Sequence, residues 1–144
     1  MLSILGISAM QVLGTPYRFG GFDANGLDCS ALVVKSFRHI GYPMHNMNSM
    51  QQYLWATDLD GAYSCLPQTD CLLFYGRKNN KELLISHVAI ALNDKILIEA
   101  GGAGRDSLEL TREQLLAREA MVRIRPINHR SDLVASIKIP LSKL

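Results

Sequence analysis

The spacing of apolar residues changes near residue 70, and this change restricts the fold more than any other feature of the chain. Before it, apolar positions recur three and four residues apart. Leu2, Leu5, Ala9 and Leu13 predict one face of a helix over about Leu2 to Leu13, stopped by Gly14. Leu32, Val33, Phe37 and Ile40 predict a second helix from Cys29 to Ile40, stopped by Gly41. Asn48 or Ser49 caps a short third helix through Trp55. Thr57 to Gln68 reads as irregular, with a turn at Asp60-Gly61. Beyond it the apolar runs are short and strand-like: Asp70 to Tyr75, His87 to Leu92, Lys95 to Ala100, and Met121 to Arg125 ended by Pro126. Asn93-Asp94 between two of them is a hairpin signal. Thr111 and Gln114 have capping-box spacing, predicting a helix to about Ala120. Asn128 to Leu144 admits a short strand or helix, interrupted by Pro140. Helices first and strands after predict an α+β fold, with N-terminal helices packed on one face of an antiparallel sheet.

The 144 residues suit one domain, 1–144, and 48% hydrophobic with 19% charged residues is enough to build a core. A net charge of +2 with scattered basic residues argues against a nucleic-acid partner. Arg123 and Arg125 alternate with Val122 and Ile124, as on the solvent face of a strand. No segment is long enough to cross a membrane, so no membrane partner is expected. The apolar start lacks a basic leader region and reads as a helix rather than a signal peptide, which predicts synthesis in a cytoplasm. The three cysteines do not make a disulfide framework. Cys65 and Cys71 lack zinc spacing; they could pair with each other, and read first as two buried free thiols. Gly101 to Gly104 is a flexible loop without the Gly-Lys-Ser/Thr of a phosphate cradle. No metal and no cofactor is expected, and a monomer is.

Three residues carry chemistry. Cys29 follows a glycine-rich loop (Gly20, Gly21, Gly26) and opens the second helix between Asp28 and Ser30. Unpaired backbone N–H groups and the dipole there favour an anion, so a thiol at this point is expected to have a lowered pKa. The loop glycines would let a ligand approach closely. His87 opens an apolar strand, whereas His39, His45 and His129 lie at a helix end or in loops. Twelve residues later, across the Asn93-Asp94 hairpin, Glu99 can sit beside His87 on an antiparallel neighbour and orient its ring. A thiol, an imidazole and an orienting carboxylate are the groups of a nucleophilic hydrolase; the plainer readings are a buried cysteine, a satisfied half-buried histidine and an exposed strand glutamate.

These residues sit in stretches that resemble the NlpC/P60 family of cysteine peptidases. Pro16-Tyr17-Arg18-Phe19-Gly20-Gly21 resembles its Pro-Tyr-x-x-Gly-Gly stretch, and Asp28-Cys29-Ser30-Ala31-Leu32-Val33 its Asp-Cys-Ser-Gly-Leu-Val nucleophile motif. Asp70-Cys71-Leu72-Leu73-Phe74-Tyr75 resembles Gly-Asp-Leu-x-Phe-Phe, and Ser86-His87-Val88-Ala89-Ile90 resembles Ser-His-Val-Gly-Ile. The matches occur in order over about residues 9–126, leaving 127–144 as a C-terminal extension. The resemblance implies a papain-like fold and hydrolysis of amide bonds in peptidoglycan stem peptides, of the γ-D-glutamyl–diamino acid endopeptidase type. It makes Cys29 the nucleophile and His87 the base, with Tyr17 and the Cys29 N–H at the oxyanion. Asp28, Ser30 and Ser86 would contact the peptide. Glu99 stands where the family has His, Asn or Gln; Ala31 and Gln68-Thr69 also depart from its pattern. A thiol amidase or acyltransferase, or a silent wall-binding or structural component of a phage tail or secretion assembly, are the alternatives. A bare domain of this kind resembles phage-tail members, implying delivery to the wall or periplasm by a tail, by secretion or after lysis.

Overall fold

A computed structural model describes all residues from Met1 to Leu144. Three helices come first: α1 (Ile4–Met10); α2 (Cys29–His39), which follows a two-strand ribbon of β1 (Phe22–Asp23) and β2 (Gly26–Leu27); and α3 (Ser49–Asp58). Then come β3 (Tyr63–Ser64), β4 (Cys71–Lys78), β5 (Leu83–Ala91) and β6 (Ile96–Gly101). Helix α4 (Arg112–Ala117) and strands β7 (Met121–Pro126) and β8 (Leu133–Lys138) complete the chain. The main sheet is antiparallel with order β3-β8-β4-β5-β6-β7. This is the α+β arrangement expected from the sequence.

Alternation along the strands sorts the core into two faces. Leu72, Phe74, Val88, Ile90 and Ile98 join Leu32, Val33, Val34 and Phe37 of α2 in one buried cluster of 25 residues. Leu73, Tyr75, Ala89, Ala91 and Leu97 form a smaller cluster on the other face. Two helices begin where the sequence places their caps. Asn48 and Gln51 close a capping box on α3, and Thr111 and Gln114 close one on α4. Gly41 takes a positive φ of 98° just past α2, where a Cβ would be strained.

The structure corrects several boundaries. Helix α1 is shorter than its apolar pattern, with Leu5 and Ala9 buried but Leu13 exposed. The reason is that residues 14 to 17 leave the helix to bond the edge of β7, through Gly14 N–H to Val122 O and Tyr17 N–H to Ala120 O. Helix α3 runs on to Asp58 and β3 occupies part of the supposedly irregular stretch. Helix α4 stops at Ala117, because Glu119 turns into the left-handed region at φ 56°. Gly101 belongs to β6 rather than to the loop after it. Cys71 is buried but Cys65 is only half-buried, and their sulfurs lie 3.5 Å apart as free thiols.

The largest correction concerns the C-terminal stretch. Strand β8 enters between β3 and β4, so the last residues complete the sheet rather than extend from it. Ile137 of β8 is 2% exposed and pairs with Leu72. Ile137→Ala is therefore expected to cost about 2–4 kcal/mol in urea denaturation, through lost burial and the cavity left behind. A loss below about 1 kcal/mol would show that β8 packs too loosely to matter.

Candidate active site

The loop into Cys29 folds for reasons of close packing. A Cβ on Gly21 would meet the Gly26 carbonyl, and one on Gly26 would overlap the Arg18 side chain. Gly21 and Gly26 thus permit close contact between chain segments, and Gly21 also lines a cleft beside Asp28 and Ser30. Arg18 in turn donates to the Ser107 and Leu110 carbonyls at 2.8 and 2.9 Å, tying the 105–109 turn to the loop. Asp28 is the N-cap of α2: its Oδ1 accepts from the Ala31 N–H at 2.8 Å and from the Ser30 hydroxyl at 3.0 Å. Cys29 is then the first residue of the helix and 9% exposed.

His87 does not open a strand, because β5 already begins at Leu83. It follows a bulge: Tyr75 faces His87, Gly76 faces Ile85, and Ser86 is the extra residue. A bulge re-aims the side chains beside it. Gly76 is required there, since a Cβ would overlap the Leu84 carbonyl. The β5–β6 ladder holds only Ile90–Ile98 and Ala91–Leu97, and no register pair follows on the side of His87 and Glu99. His87 and Glu99 lie past that point, and with Cys29 they line one cleft.

The cleft has a volume of about 370 Å³ and is lined by Cys29, His87, Glu99, Tyr17, Ser86 and the Gly101–Gly104 backbone, among others. His87 Nε2 lies 2.7 Å from Glu99 Oε1, with Glu99 1% exposed. Nδ1 is then the only ring nitrogen left for Cys29. Asp28 and Ser30 do not share this cleft; they line a neighbouring one with Asn46, Asn48 and Gln51.

Sequence reasoning missed the other half of the Glu99 environment. Arg123, expected on a solvent face, donates from Nε to Glu99 Oε2 at 3.0 Å, and its Nη2 is also 3.0 Å away. Glu99 and Arg123 are register partners on β6 and β7, so an acid in an apolar strand followed by an arginine-bearing strand was a usable signal. His129 has its Nε2 3.3 Å from the same oxygen and its Nδ1 2.9 Å from the Pro126 carbonyl. No local pattern could have announced it.

The electrostatics follow. Burial alone would raise the Glu99 pKa, but the hydrogen bond and charge of His87, with Arg123 and His129, hold it at about 2. Glu99 is a carboxylate throughout the neutral range. The Cys29 thiol behaves opposite to the expectation from its helix position. Burial pushes it up to about 11, and the negative charges of Asp28 and Glu99 add to this. The Val88 and Ser30 backbone N–H groups favour the thiolate without offsetting burial. Burial also raises the Tyr17 hydroxyl, with Cys29 and Asp28 adding, so it stays a proton donor. A buried thiol, an imidazole held by a permanent carboxylate, and a phenol donor can together perform acyl transfer with His87 as general base.

The NlpC/P60 family model matches residues 14–125. No curated protein sequence matches the chain. Among solved structures, the NlpC/p60 domain of the peptidoglycan hydrolase SagA superposes with a TM-score of 0.64 at 20% identity, covering 94% of this chain and 97% of that one. A protein similar to a lipoprotein of the NLP/P60 family, from Staphylococcus aureus, gives 0.65 at 20% identity over 94% of this chain. This chain spans only 40% of that protein's length. NlpC1 from Trichomonas vaginalis gives 0.61 at 14% identity, over 95% of this chain and 44% of its own.

Proposed function

We propose, from the premise that this chain belongs to the NlpC/P60 family, that it is a cysteine peptidase of the cell-wall type that cleaves the γ-D-glutamyl–diamino acid bond of peptidoglycan stem peptides. The observation that carries the reading is the buried His87–Glu99 pair at 2.7 Å in the same cleft as Cys29. The hydrolase neighbour supports the substrate class.

The chemistry follows from the groups present. His87 takes the thiol proton as the Cys29 sulfur attacks the amide carbonyl carbon. Glu99 stabilises the imidazolium so formed. The Tyr17 hydroxyl and the Cys29 N–H face the oxyanion of the tetrahedral intermediate. His87 then returns its proton to the leaving amine as the C–N bond breaks. Water, deprotonated by His87, attacks the thioester and releases a free carboxylate and the thiol. Ser86 borders the bound peptide, while Asp28 and Ser30, in the adjoining cleft, suit a free amino group on its far side.

The test is digestion of purified muropeptides of several types under reducing conditions, read by mass spectrometry. A product with a newly freed diaminopimelate or lysine amine is expected. Release of muramic sugar would instead assign a thiol amidase, and no cleavage would assign a binding role. Tyr17→Phe is expected to lower kcat about a hundredfold with KM little changed, as for loss of one oxyanion donor. An unchanged kcat would remove Tyr17 from that role.

A further inference from the structure

Glu99 is held from two sides, and the second side has no part in the mechanism above. Its Oε1 faces His87 and its Oε2 faces Arg123 and His129. The chain is shaped around the Arg123 guanidinium. Arg123 Nη1 donates to the Glu119 carbonyl at 3.0 Å, and Glu119 is itself in the left-handed region, φ 56°. Gly102 has φ 99°, and a Cβ there would meet Ala120, the Glu119 carbonyl and Arg123 Nη1. A Cβ on Gly101 would lie 3.0 Å from Glu99 Oε2. Strained backbone and two glycines packed against one guanidinium make a receptacle rather than a chance surface pair.

A buried carboxylate alone beside His87 would favour the imidazolium strongly. A permanently protonated imidazole cannot take a proton from a thiol. Arg123 cancels the carboxylate's net charge while leaving Oε1 free to accept from Nε2. We propose that Arg123 is a positioning residue for His87: it fixes Glu99 by Oε2, presents Oε1 alone to the ring, and offsets the carboxylate charge that the ring meets. The inference rests on the hydrolase reading for its consequence, but not for its measurement.

The groups facing this cluster are Cys29 from α2, Tyr75 from β4, Glu99 from β6, Arg123 from β7, and Tyr17 and Arg130 from adjoining segments. His129 and Asp132 complete the set. The four histidines can be assigned by single substitution and titrated by NMR without substrate. Arg123→Gln is expected to raise the His87 midpoint by about one to two pH units, the size of a neighbouring charge's influence. The acid limb of kcat/KM should move by the same amount, with activity recovering at high pH. Arg123→Lys, which keeps the charge but not the two-point contact, should hold the midpoint within about half a unit of wild type while lowering kcat severalfold. A His87 midpoint unmoved in Arg123→Gln, with activity lowered equally at every pH, would overturn the proposal. If Arg123→Gln does not fold, Arg123→Lys decides: a midpoint displaced by more than that half unit overturns it. A displaced midpoint in Arg123→Gln together with no muropeptide cleavage by wild type would overturn the hydrolase reading and leave the hold of Arg123 on His87 standing.

Discussion

Cys29→Ala is expected to lower stem-peptide hydrolysis by at least about a thousandfold while the protein stays folded. In the proposed mechanism Cys29 is the nucleophile, so its removal eliminates the acyl-enzyme route, and only substrate binding and the oxyanion donors remain to assist water. No other thiol can substitute. Cys71 is buried and Cys65 lies against it as a second free thiol, and neither lines the cleft. The fold should tolerate the change, because alanine is compatible with the first turn of α2 and the Asp28 cap does not involve the sulfur. Single-turnover assays with a muropeptide, alongside far-UV circular dichroism, read both quantities. Retention of more than about a tenth of wild-type activity would exclude Cys29 as nucleophile, since no such residual is compatible with a lost covalent step.

Glu99→Gln is expected to impair stability and catalysis together. The carboxylate is 1% exposed and contacts three basic side chains, so its loss strands Arg123 and His129 beside a neutral amide. Breaking a buried ion pair by removing one partner costs about 3–5 kcal/mol. The amide can still accept from one ring, but it cannot stabilise the imidazolium as a charge does, so kcat should fall by a factor of about a hundred to ten thousand. The pH dependence gives an independent check. The Glu99 pKa in the folded state, about 2, lies below its ordinary 4.5, so the unfolded state binds the proton more readily. Its stabilisation is fully present above about pH 4.5 and is lost as pH falls toward 2. Wild type should therefore lose about 3 kcal/mol across that window, and Glu99→Gln should lose markedly less. Parallel acid-unfolding curves for the two proteins would show that Glu99 is not coupled to the fold in this way.

The candidate site was legible wherever its residues coincide with local pattern. A cysteine after a glycine-rich loop and before a helical apolar period names its own position. A hairpin signal between His87 and Glu99 allows their approach. Arg123 was misread because alternation between Val122 and Ile124 marks which side of a strand a residue faces, not whether that side is open. His129 and the interior place of β8 were not legible at all. The contacts of β8 with β3 and β4 join residues that lie far apart in sequence, and nothing in its own composition selects an interior position.

Sequence by itself determined the α+β class, the N-caps of α3 and α4, the glycine stop of α2, the order of the chemical residues and their identities. Those properties are local, set by side-chain period, backbone freedom and capping groups within a few residues. Tertiary structure alone decided the environment of those residues. The bulge at Ser86 re-aims the side chains beside it, one cleft gathers Cys29, His87 and Glu99, and Arg123 and His129 converge on Glu99. It also reversed the expected state of the thiol, because desolvation and the nearby carboxylates outweigh the helix N-terminus. Burial and charge depend on everything that surrounds a group, and those surroundings exist only once distant strands have paired.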